Sequence, residues 1–166
     1  MGIRLKVWMS ALFVLSLLTS QPAAQGYEKK DAWYGLLGVG AYTEGPDAVA
    51  HYGIGYQARL DGGIGVNLEA GILYPRNYSS SQLNLAAGGV YTFNRDQKTK
   101  PFVTFGYAWF LRDESDSGAI YFGGGIDHLI GDRWGIKLEA RDSMLRDKYW
   151  DGHYFEGRFG LLFSWD

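Results

Sequence analysis

The chain has 166 residues, a formal net charge of −2 and no cysteine, which fits one domain and rules out a disulfide framework. Sixteen Lys and Arg against eighteen Asp and Glu leave no basic excess of the kind nucleic acid requires. Aromatic residues make up 16% of the chain, more than a small soluble core needs, and the 24 glycines show no collagen-like period.

Residues 1–25 have the layout of a cleaved signal peptide. Arg4 and Lys6 are followed by an apolar stretch over 7–18 and small residues near Ala23 and Ala24. That stretch is well short of the roughly 20 residues a spanning helix needs. Removing Arg4 and Lys6 with it takes the net charge from −2 to −4. Residues 26–166 then form the single domain.

From Trp33 onward the sequence alternates with period two in eight runs, near 32–43, 49–60, 64–74, 81–93, 101–111, 119–129, 133–142 and 153–165. In the second run Tyr52, Ile54, Tyr56 and Ala58 share one face, with His51, Gly53, Gly55, Gln57 and Arg59 on the other. The third sets Val66, Leu68, Ala70 and Ile72 against Gly65, Asn67, Glu69 and Gly71, and the fourth sets Leu83, Leu85 and Ala87 against Gln82, Asn84 and Ala86. The fifth and sixth alternate less cleanly, because Phe102 and Phe110 share a face with Thr104 and Gly106. The seventh places Lys137, Glu139 and Arg141 opposite Trp134, Ile136, Leu138 and Ala140. The eighth sets Glu156 and Arg158 against Phe155, Phe159, Leu161, Phe163 and Trp165.

A soluble sandwich turns its apolar face inward, and a continuous apolar face left to water would be an unusually large exposed patch. Charges on the inner face and aliphatic residues on the outer one fit a closed barrel in lipid. The predicted fold is therefore all-β, an eight-stranded antiparallel up-and-down transmembrane barrel. Its connections alternate in length. Asp61-Gly62-Gly63 and Ile130-Gly131-Asp132 are tight turns, whereas 43–48, 75–80, 112–118 and 143–152 are longer and polar. Short turns face the periplasm and long loops the exterior. The segment 94–100 is the exception, long on the short-turn side.

Aromatic rings gather near the strand ends. Trp33, Phe93, Trp134, Phe163 and Trp165 fall at the periplasmic rim, and Tyr52, Tyr74, Trp109 and Phe155 near the external one. Amphipathic rings favour that headgroup level, so these residues are expected to form the membrane-interface girdles.

The lumen is expected to hold four positive side chains, Arg59, Lys137, Arg141 and Arg158, and four negative ones, Glu69, Asp127, Glu139 and Glu156. Eight strands enclose a space about wide enough to be filled by side chains. Pairing within that space is expected, since an unpaired buried charge costs several kcal/mol. A plugged, charge-balanced interior follows, with a narrow ion path as its alternative.

Nucleophilic catalysis needs a serine near a histidine held by a carboxylate. His51 and His153 are placed near the external rim, with Ser79, Ser80, Ser81 and Ser143 in nearby loops, but no His-x-Ser pair occurs. His128 lies by a periplasmic turn. No catalytic residue is assigned, and no spacing suggests a metal or other cofactor. The acidic run Asp113-Glu114-Ser115-Asp116 lacks the loop geometry of a calcium site. The best candidate for external binding is the 143–152 loop, through Arg146, Lys148, Tyr149 and Trp150. Tyr, Trp and Arg are the residue types enriched in binding hot spots.

The eight alternating runs, the segment from Gly123-Gly124-Gly125 to Arg141 and the ending Gly160-Leu161-Leu162-Phe163-Ser164-Trp165 together resemble the small outer-membrane β-barrel domain family of the outer membrane protein A and X type. The resemblance implies the cell outer membrane of a diderm bacterium, with insertion by the barrel assembly machinery. It also implies surroundings of outer-membrane lipid and lipopolysaccharide, and a monomer. The expected role is structural or surface-interacting, without enzymatic activity, the extracellular ligand being open. The alternatives are a lipid A acyl-processing enzyme and a narrow porin-like channel.

Overall fold

The computed structural model describes residues 31–43, 48–76, 81–111, 116–146 and 151–165. The segment 1–25, read as a signal peptide, lies outside them. Eight strands run in chain order: β1 (Asp31–Tyr42), β2 (Ala48–Arg59), β3 (Ile64–Pro75), β4 (Gln82–Thr92), β5 (Thr99–Leu111), β6 (Ser117–Leu129), β7 (Trp134–Arg146) and β8 (Asp151–Trp165). Each pairs antiparallel with its sequence neighbour, and β1 closes on β8, from Asp31 opposite Trp165 to Tyr42 opposite Tyr154. Closure removes both sheet edges, which is how a sheet satisfies every backbone group in lipid.

The period-two pattern decides which way each side chain points. Along β3 exposed and buried residues alternate without a break from Ile64 to Pro75. The exposed set is aliphatic and aromatic: Leu37, Val39, Ile54, Leu68, Phe105, Phe122 and Leu161 are each more than half exposed. Glu69, Asp127, Lys137, Glu139, Arg141, Glu156 and Arg158 are buried. The inversion expected from the sequence is therefore present.

Two boundaries differ from the sequence expectation. β5 begins at Thr99, so the long 94–100 connection shrinks to a turn tied by Phe93 N–H to Pro101 O at 2.8 Å, with Asn94 at φ 48°. β7 runs on to Arg146 and β8 starts at Asp151, so most of the expected 143–152 loop is strand. Ser143 and Leu145 point inward and Met144 outward, which continues the alternation beyond Asp142. The 61–63 turn needs its glycines, with Gly62 at φ 76° and Gly63 at φ 86°.

The interior is not polar throughout. Toward the external end Val49, Leu73, Phe110, Ala119, Leu145 and Tyr154 form one buried cluster that also includes Tyr121. Toward the periplasmic end Ala32, Tyr34, Leu36 and Leu162 form a smaller one. A lumen this narrow is filled by rings as well as charges, and inward glycines make room for them. A Cβ on Gly55 would overlap the Tyr34 ring, one on Gly106 the Tyr121 ring, and one on Gly40 the Tyr154 ring. The irregular face of the fifth run has the same cause, since Phe102 and Phe110 are lumen fillers.

Candidate functional site

Between the two apolar clusters lies a charged layer, and Glu69 on β3 is its hub. Arg141 on β7 grips it with both terminal nitrogens, Nη1 to Oε2 at 2.7 Å and Nη2 to Oε1 at 3.0 Å. The Tyr34 hydroxyl donates to Oε1 at 2.6 Å from β1. Arg158 Nη2 on β8 stands 2.8 Å from the same oxygen and Nη1 3.8 Å from Glu139 Oε1. No aligned hydrogen bond forms from the Arg158 nitrogens, so Arg158 contributes charge more than direction. β3 and β7 are four strands apart in a ring of eight, so the Glu69–Arg141 fork spans the lumen. A bidentate charge-assisted pair of this kind is among the stronger polar contacts a protein makes.

Arg141 also donates from Nε to Glu139 Oε1 at 2.9 Å, and its guanidinium carbon stands 4.0 Å from the Tyr121 ring centroid. The second centre is Asp127 on β6, 2.8 Å from Arg59 Nη2 and 3.1 Å from Lys137 Nζ. Arg59 reaches it from β2, again from the opposite wall. Lys137 Nζ additionally meets Gln57 Oε1 at 3.2 Å and lies 3.7 Å from the Phe102 ring centroid. Glu156 forms a third centre with His51, whose Nδ1 is 2.6 Å from Oε1.

The eight expected lumen charges are thus brought together, in three clusters instead of one list of pairs. One correction applies. Lys100 is also buried and inward, directly opposite Asp127 in register, so among the described residues the lumen holds five Lys and Arg against four carboxylates. It keeps the parity of Phe102, but the expected fifth run begins at 101, two residues after β5 does. His51, expected on the inner face of its run near the external end, is 3% exposed and faces the lumen. The polar partners Tyr34, Asn67, Gln57 and Tyr121 were invisible to a search for charge, though each keeps its strand's inward parity.

The expected girdle residues Trp33, Tyr52, Tyr74, Trp109 and Trp134 are exposed on the outer wall, as is Phe93, and Phe163 and Trp165 lie beside them. Neighbours meet ring to ring, Trp134 with Phe163 at 4.8 Å and Tyr107 with Trp109 at 4.8 Å between centroids. Of the external binding candidates, Lys148, Tyr149 and Trp150 lie outside the described residues. Arg146 ends β7, opposite Asp151. Ser79, Ser80 and Asp113-Glu114-Ser115 likewise fall outside. Among the described residues no group of three His, Asp or Glu side chains could hold a metal ion.

His153 and Asp142 do meet, on the outer wall near the external end. The imidazole Nδ1 lies 3.0 Å from both carboxylate oxygens. Ser143, the neighbouring hydroxyl, is buried on the lumen side of the sheet and cannot reach that histidine. The place two residues along β8, on the same face, is filled by Phe155, which stacks on the imidazole at 5.7 Å between centroids.

The family model for the outer membrane protein beta-barrel domain matches residues 10–163. No curated protein matches the chain in sequence. Among solved structures, the chain is similar to the N-terminal β-barrel domain of Pseudomonas aeruginosa OprF, with TM-score 0.61 and 13% identity over 83% of this chain and 100% of that one. It is similar to Ail, the attachment invasion locus protein of Yersinia pestis, in complex with the heparin analogue sucrose octasulfate, with TM-score 0.58 and 11% identity over 83% of this chain and 100% of that one. It is also similar to the outer membrane enzyme PagL, with TM-score 0.53 and 16% identity over 79% of this chain and 97% of that one. At such identities these likenesses concern the fold alone.

Proposed function

The chain belongs to the outer membrane protein beta-barrel domain family, and from that premise we propose that it is a non-enzymatic structural barrel. It is an integral protein of the cell outer membrane of a diderm bacterium. Its lumen is a strut, and specific contacts outside the cell fall to the external loops. The Glu69–Arg141–Arg158 cluster carries this reading, because it ties opposite walls together where a solute would have to pass. The apolar layer of Val49, Leu73, Phe110, Leu145 and Tyr154 stands between that cluster and the exterior. A monomer suits a sheet whose edges are all paired.

The separation of Ser143 from His153 speaks against acyl processing by a serine nucleophile. Incubating the purified folded barrel with radiolabelled lipid A is expected to return the lipid unchanged. Release of labelled fatty acid that stops in His153→Ala would overturn the non-enzymatic role.

A further inference from the structure

The outward positions of β7 and β8 in the membrane are apolar or glycine except at Asp142 and His153. Eight residues separate Trp134, at the periplasmic rim, from Asp142. At about 3.3 Å per residue and a tilt of about 45°, this is ~19 Å of height in an apolar band about 25 Å tall. The pair therefore stands just inside the external boundary, at the depth where acyl chains join their headgroups. An ionisable pair on the lipid-facing wall is by default a candidate functional site.

The wall beside the pair is hollow. Gly124, Ala140 and Gly157 stand in register across β6, β7 and β8. With Phe122 and Phe155 at its sides and Asp142 at its upper end, this row lines a depression of about 510 Å³. A second depression, of about 670 Å³, lies further toward the external end beside His153, between Tyr107, Ile120 and Met144. Its space depends on Gly118, where a side chain would overlap the Tyr107 ring.

We propose that these two hollows bind one outer-leaflet acyl lipid, a lipid A molecule, with an acyl chain in the lower hollow and its amide linkage or an acyl hydroxyl at His153. The occupant follows from the surroundings, since a groove open to the hydrocarbon fills with acyl chain, not water. The polar end selects the linkage. Asp142 holds Nδ1, which leaves Nε2 for the ligand. With Nδ1–H donated to the carboxylate, Nε2 of the uncharged ring accepts, so an amide N–H or a hydroxyl suits it better than an ester carbonyl or a bare phosphate. The site requires no turnover.

The proposal rests on the outer-membrane barrel described above, whose own failure would show separately, as loss of the heat-modifiable folded band. Native mass spectrometry of the folded, detergent-purified barrel with added hexa-acylated lipid A tests it. Gly157 has nothing within 4 Å of an added Cβ, so Gly157→Leu puts a side chain into the lower hollow with open space at its Cβ. Gly35, on the outer face of β1, has the same open surroundings, and Gly35→Leu is the control. The bound lipid A population is expected to fall by about tenfold in Gly157→Leu and in His153→Leu, the scale of one hydrogen bond or one buried acyl contact. Gly35→Leu is expected to bind as wild type does. Equal retention in all four proteins, or equal loss in Gly35→Leu, would overturn the assignment.

Discussion

Glu69→Ala is expected to lower the unfolding free energy by about 3–5 kcal/mol, the range for removing one partner from a buried ion pair. The carboxylate is shared by Arg141 and Arg158 and accepts the Tyr34 hydroxyl, so its loss strands two buried guanidinium groups and a phenol at once. Arg141 keeps Glu139 at 2.9 Å, which softens the effect without cancelling it. Glu139→Ala should cost less, because it leaves the Glu69 fork in place. Urea titration read by the heat-modifiable shift on a gel gives both midpoints, and a larger loss in Glu139→Ala would contradict the hub assigned to Glu69.

The second large effect is expected at the external apolar layer. The rings of Phe110 and Tyr154 face each other at 6.4 Å between centroids, and Tyr154 also packs on Tyr42 at 4.9 Å. Truncating one large buried side chain costs about 3–5 kcal/mol, and two in contact lose somewhat less than the sum. The Tyr154 hydroxyl has no hydrogen-bond partner among the described residues, so the loss comes from the ring. Phe110→Ala/Tyr154→Ala should therefore lower the urea midpoint at least as far as Glu69→Ala. It should also admit small ions past the external end, which Glu69→Ala, leaving that layer whole, should not. A double variant as stable as wild type would show that the layer does not hold the barrel together.

The contrast shows what the sequence reveals and what it hides. Runs such as Ile64 to Tyr74 and Leu138 to Arg141 expose the fold, because lipid on one side and charge on the other force strict alternation. Strand number and the inward direction of all eight lumen charges follow from that period alone. Pairing does not, since Glu69 and Arg141 are 72 residues apart and meet only because closure puts β3 opposite β7. The apolar layer was missed for a related reason. Val49, Leu73 and Leu145 lie near strand ends, where an apolar inward residue looks like a lapse in the pattern. In the barrel those lapses fall at one height and form a plug. Lys100 and Asp142 turned on strand ends placed a few residues short, so one was left in a turn and the other at a strand terminus. The His153–Asp142 pair is a register contact that spacing within either strand could not disclose.

Planar-bilayer recording of the purified wild-type barrel tests the filled lumen most directly. With three charge clusters bridging the walls and rings packed above them, a silent bilayer is expected. A steady, salt-dependent open conductance in the wild-type protein would contradict it and make the lumen an ion path.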